Sequence, residues 1–132
     1  MLNDVTMRDW QYRSPMWEQG KTWERTTPFG PFLVTPDELT GGVRPELDFT
    51  CTVDGDVVQE NNTGQLVFDP VTLVEYTSTI LTLKPGDVIA TGRPGGVGHA
   101  RKPPRYLTDG SVLTTTVAEL GELVNVCRTE QM

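Results

Sequence analysis

One histidine, two cysteines, few basic residues and no long apolar run mark this 132-residue chain, and each shortage removes a class of protein. Cys51 and Cys127 stand far apart with no close-set partner of the kind a zinc site uses, so they read as two buried free thiols. Cysteine nucleophiles want a histidine beside them, and His99 is the sole imidazole. No segment approaches the ~20 apolar residues of a membrane-crossing helix, so no membrane partner is expected. Lys and Arg number 11 against 18 Asp and Glu, a net charge of −7. Only Arg101-Lys102-Pro103-Pro104-Arg105 is locally basic, which argues against a nucleic-acid partner, since phosphate binding needs clustered cations. The opening residues lack the charged start, apolar stretch and cleavage site of a signal peptide, and the expected compartment is a reducing cytoplasm.

What is present suits one domain over residues 1–132. Thirteen glycines and ten prolines lie between apolar segments, as turn punctuation in a strand-rich fold does. In residues 46–53 Leu47, Phe49, Cys51 and Val53 alternate with Asp48, Thr50 and Thr52, the period-two pattern of a strand with one buried face. Asp54-Gly55 follows, the dipeptide that favours the positive φ of a tight hairpin, and residues 56–59 supply the returning strand. Asp69 as N-cap, Pro70 in the first turn, and Leu73, Val74, Thr77, Ile80 and Leu81 on one face predict a helix over 70–81. Val88-Ile89-Ala90 reads as a short buried strand, with the glycine-rich loop Thr91–Gly98 after it. Residues 111–117 and 120–126 form a second strand pair, and Asp4–Gln11 a helical turn. The fold class is mixed α/β, predominantly β, with one main helix.

Three segments carry groups capable of chemistry. Asn3-Asp4-Val5-Thr6-Met7-Arg8-Asp9-Trp10-Gln11 crowds two carboxylates, a guanidinium and an amide into nine positions, enough for a metal ion and a carboxylate ligand; by itself it also fits a helix start capped by Asp4. Gly20-Lys21-Thr22 is too short for a phosphate-binding P-loop, which excludes an NTPase, and a lone lysine is ordinarily a solvated charge. The loop Thr91-Gly92-Arg93-Pro94-Gly95-Gly96-Val97-Gly98 offers backbone amides to a ligand or is an ordinary turn.

In their order these segments resemble the fumarylacetoacetate hydrolase family. Asn3–Asp9 matches its Asn-Asp-Val-Ser/Thr-Ala-Arg-Asp motif, Gly20-Lys21-Thr22 its Gly-Lys-Ser/Thr, and Pro28-Phe29-Gly30-Pro31 its Pro-x-Gly-Pro. Val53-Asp54-Gly55 to Gln59, Leu83 to Ile89 and Thr91 to Gly98 match the later motifs in the same order. The resemblance implies part of the family's catalytic domain, an incomplete β-sandwich or β-roll. It implies a metal-dependent hydrolase cleaving C–C bonds in acylpyruvate-like 2-oxo or 1,3-dioxo acids. An isomerase or decarboxylase on the same metal-enolate platform, or a catalytically inactive fragment acting only as a binding or oligomerisation domain, are the alternatives.

Carried over residue by residue, Asp4 matches a metal ligand for Mg²⁺ or Mn²⁺, with Ca²⁺ a further option. Lys21 matches the active-site lysine, and Arg8 and Gln11 match substrate-binding positions. Arg93 stands where the family commonly has a substrate-touching Thr, and binds a second carboxylate or fills the pocket. The implied ligand is a small dicarboxylate or 2-oxo acid, and the implied assembly a homo-oligomer. The family's Glu-x-Glu metal ligands and its water-activating His-Glu lid are expected ahead of Asp4, outside this sequence. One carboxylate is a poor magnesium site, because that ion gives up its water reluctantly.

Overall fold

The computed structural model describes residues 1–130. Its centre is a four-stranded antiparallel sheet: β1 Asp48–Val53, β2 Asp56–Asn62, β3 Val112–Val117 and β4 Gly121–Val126, in the spatial order β2-β1-β3-β4. The β1–β2 hairpin turns on Asp54 and Gly55, both at positive φ (54° and 88°), as that dipeptide predicts. Arg105 braces the turn, donating to Asp56 Oδ2 at 2.8 Å, the Val53 carbonyl at 3.1 Å and Asp54 Oδ2 at 3.3 Å. The register places Cys51 opposite Gln59 and Thr115, and Leu113 opposite Asn125. Period-two alternation therefore turns Leu47, Cys51, Val53, Leu113, Val117 and Leu123 to one face, where they form the buried core. Val5, Val58 and Leu107 pack against that core from outside β1 and β3.

The mostly β architecture with one main helix agrees with the pattern of the sequence. Four local expectations shift. The helix α2 runs Pro70–Ser78 rather than to 81, because the amides of Thr79 and Ile80 bond three residues back, tightening the last turn into 3-10 geometry that ends the α-helix. Its predicted apolar face is not buried: Val74 is exposed, as are Ile80 and Leu81 beyond the helix, while Leu73 and Thr77 are half-buried. Val88-Ile89-Ala90 is not a strand, since no described strand pairs with it, and Val88 is 56% exposed. Cys51 is buried but Cys127 only partly so; both are free thiols.

No described helix is long and apolar enough to cross a membrane.

Candidate active site

Residues 1–7 run extended beside residues 20–30. Met7 N–H donates to the Gly20 carbonyl at 2.9 Å, Val5 N–H to Thr26 at 3.2 Å, Asn3 N–H to Pro28 at 3.1 Å and Gly30 N–H to Met1 at 2.9 Å. An extended chain sends alternate side chains to opposite sides. Here Val5 packs against the sheet core and Asn3 Oδ1 accepts from Thr115 Oγ at 3.1 Å, which sends the intervening Asp4 the other way. Lys21 meets it there: Nζ lies 2.6 Å from Asp4 Oδ2 and donates to the Asp4 carbonyl at 2.9 Å. Asp4 is thus the partner of Lys21 and not a helix cap.

After Met7 the chain turns into the short helix α1, Arg8–Gln11, without a side-chain cap. Within it the Arg8 guanidinium donates to Gln11 Oε1. Gln11 is only 4% exposed because the turn at residues 17–20 lies on it. That approach requires glycine at position 20, where a Cβ would stand 2.6 Å from Gln11 Cβ and 3.1 Å from the Met7 carbonyl oxygen. Trp10 and Trp23 meet edge to face at 5.1 Å between ring centroids, and the Arg13 guanidinium lies 3.7 Å over Trp10. These aromatic contacts fasten α1 to the segment that carries Lys21.

Of the five residues singled out in the sequence, Asp4, Lys21, Arg8 and Gln11 are gathered by these two segments. Arg93 is not bonded to any of them. Its guanidinium donates to the carbonyl of Pro94 at 3.1 Å on the exposed glycine-rich loop. That loop leads into His99, whose ring lies 5.7 Å from Tyr12, the residue after Gln11, and whose Nδ1 is 3.0 Å from the Tyr106 hydroxyl. The loop and α1 are therefore neighbours.

Polar groups that the sequence did not single out also bear on the site. The Asn3 amide nitrogen, beside Asp4, is buried with no partner among the described residues. Gln59 and Arg101 hold the glycine-rich loop. The signal for Gln59 is its register opposite Cys51, which turns a polar side chain to the inner side of the sheet. Arg101 read only as part of a basic run.

As a metal site the gathered residues fall short. Among the described residues no three His, Cys, Asp or Glu side chains come together, and the one carboxylate present is already paired with an ammonium. A divalent cation of the magnesium type seeks several oxygen ligands, so these residues alone do not fit one.

Comparison with known proteins agrees with the order of motifs. Residues 1–128 match the family model described as fumarylacetoacetate (FAA) hydrolase C-terminal. A relative in Rattus norvegicus, the mitochondrial oxaloacetate tautomerase Fahd2a, is 42% identical over 126 residues, covering 95% of this chain and 40% of the relative. The solved fumarylacetoacetate hydrolase from psychrophilic Exiguobacterium antarcticum superposes with a TM-score of 0.90 at 38% identity, over 98% of this chain and 46% of that one. A solved 5-carboxymethyl-2-hydroxymuconate delta-isomerase from Mycobacterium smegmatis gives 0.79 at 36% identity, over 97% and 47%. The chain spans about 40% of the length of the curated relatives it matches. On the family model, the relatives and the shared fold, this chain belongs to the fumarylacetoacetate hydrolase family, over that family's C-terminal region.

Proposed function

We propose that the chain is a substrate-binding part, over residues 1–132, of an enzyme that interconverts the keto and enol forms of a 2-oxo dicarboxylic acid such as oxaloacetate. The observation that carries this reading is the gathering of Lys21, Asp4, Arg8 and Gln11 at one corner of the fold. Support comes also from the oxaloacetate tautomerase among the relatives.

Arg8 spends part of a five-donor fork on Gln11, and the remaining N–H groups suit a substrate carboxylate. Lys21 has three donors, two of them directed at Asp4, which orients the ammonium and leaves the third for a keto oxygen. As a proton passes from the carbon beside the keto group to solvent water, the electron pair moves to that oxygen, which takes up a proton from solvent to complete the enol. A preoriented ammonium favours the charge that builds there. Arg93, on the loop beside α1, is the candidate for the second carboxylate.

The family generally uses divalent metals. Mg²⁺, Mn²⁺ or Ca²⁺ belongs to this reading only together with carboxylates from another segment or chain, since Asp4 alone does not hold one. A homo-oligomer is part of the proposal and suits the exposed Val124 and Val126 on the edge strand β4. The compartment proposed is the cytoplasm, while the rat relative is named as mitochondrial.

A second reading, hydrolysis of a C–C bond in acylpyruvate-like acids, is favoured by the likeness to the Exiguobacterium hydrolase. The same enolate would be its leaving group, and an added water-activating group its further need. Isothermal titration with oxalate, a stable mimic of the 2-oxo acid enolate, tests the shared site. Saturable binding is expected, weakened about tenfold or more in Lys21→Met and in Arg8→Met. Binding absent from the parent chain, or untouched in both variants, would end the 2-oxo acid reading. Incubation with an acylpyruvate separates the two chemistries, because hydrolysis releases two acids whereas tautomerisation keeps the carbon skeleton whole.

A further inference from the structure

The glycine-rich loop is held through its carbonyl oxygens, by side chains that come from outside it. Gln59 on β2 donates its amide to the carbonyls of Pro94 at 3.2 Å and Gly95 at 3.3 Å. Arg101 donates to the Gly96 carbonyl at 3.2 Å and, from the other end of the guanidinium, to the Val58 carbonyl at 2.9 Å. Three successive carbonyls of the loop are thereby engaged by two side chains anchored at β2.

The backbone confirms how close the approach is. Gly96 sits at φ 101°, and a Cβ there would be driven into the Val58 carbonyl; a Cβ on Gly98 would be driven into the Arg105 carbonyl. Among the described residues, the N–H groups of Gly92, Arg93, Gly95, Gly96 and Val97 donate no hydrogen bond. Gly95 and Gly96 thus have their carbonyls engaged and their N–H groups free, a composition suited to an anion and not to a cation. The Tyr12–His99 contact sets it beside α1.

We propose that Gln59 and Arg101 are positioning residues: by engaging the carbonyls of Pro94, Gly95 and Gly96 they fix the loop with its amides and Arg93 available to a carboxylate of the substrate. The proposal rests on the 2-oxo acid reading for the nature of the ligand, though not for the ordering of the loop. Gln59→Glu keeps the shape of the side chain and replaces its donor by an oxygen that repels both carbonyls. Arg101→Met removes its donors, and Arg101→Lys restores one.

The test is backbone amide NMR of the 132-residue chain, reading heteronuclear NOEs and oxalate-induced shifts. In the parent, Gly95 and Gly96 are expected to be as ordered as β1, and their amides to shift with oxalate. In Gln59→Glu and Arg101→Met the loop NOEs are expected to fall while those of β1 and β3 hold. Oxalate affinity should weaken about five- to tenfold, with partial recovery in Arg101→Lys. Loop order and affinity unchanged in both Gln59→Glu and Arg101→Met would overturn the proposal. Shifts near Arg8 and Lys21 without shifts in the loop would also overturn it, leaving the functional reading intact. No oxalate shift anywhere would overturn both.

Discussion

Gly20→Ala tests whether the turn at residues 17–20 sets the geometry around Lys21. The added Cβ would lie 2.6 Å from Gln11 Cβ, 3.0 Å from Gln11 Cα and 3.1 Å from the Met7 carbonyl oxygen. Carbon atoms rest about 3.5–4.0 Å apart, so the turn and α1 must separate by about 1 Å. Gln11 is buried and two of the three obstacles are backbone, so no side-chain rotation relieves the clash. Overpacking of this kind costs about 1–3 kcal/mol. For a chain of this size, at roughly 4 °C per kcal/mol, melting followed by circular dichroism should fall by about 4–12 °C. Gly95→Ala is the control, since nothing lies within 4 Å of its Cβ position and its φ is not positive. It should melt no lower than the parent and within about 4 °C of it, because an alanine compatible with the native backbone stabilises by under about 1 kcal/mol. If Gly20→Ala melts like Gly95→Ala, the close approach does not hold Lys21 in place and the argument from packing fails.

Three further predictions rest on separate features. The Asp4–Lys21 pair is partly exposed on both sides, 49% and 31%, so a double-mutant cycle of Asp4→Asn and Lys21→Met in urea should give a coupling of about 1 kcal/mol or less. A coupling several times larger would contradict that exposure. The carboxyl of Asp69 is held at about 2 by the Thr72 backbone N–H and by Arg44. Because the folded value is depressed, its stabilising effect is full above the unfolded value near 4 and is lost as pH falls toward 2. The melting gap between the parent and Asp69→Ala should therefore be open at pH 6 and closed at pH 2, and a gap constant across that range would count against the cap. Burial raises both thiols above their ordinary range, and Cys51 is the more enclosed at 5% exposure. Peptide mapping after iodoacetamide at pH 8 should find Cys127 modified first and Cys51 only on unfolding; equal rates would refute the burial order.

Much of the fold could be read from residues whose energetics are local. The Asp54-Gly55 turn, the Asp69-Pro70 helix start and the alternation over residues 46–53 each depend on neighbours within a few positions, and each stands where the pattern puts it. The failures share one cause. The α2 face and Val88-Ile89-Ala90 carry the apolar patterns of buried elements, but burial requires a covering layer that the described residues do not contain. Periodicity reports what a segment is suited to meet; it does not show that the partner is present.

The sequence alone determined the ordered motifs that identify the family and the residue types at its site, since these need only identity and spacing. Only the tertiary structure decided that Asp4 faces Lys21, that Gln11 lies under Gly20, and that Gln59 and Arg101 hold the carbonyls of the glycine-rich loop. The Asp4–Lys21 and Gln59–Pro94 contacts join positions 17 and 35 residues apart. Between such positions local propensity carries no information, and backbone approach and strand register choose the partners.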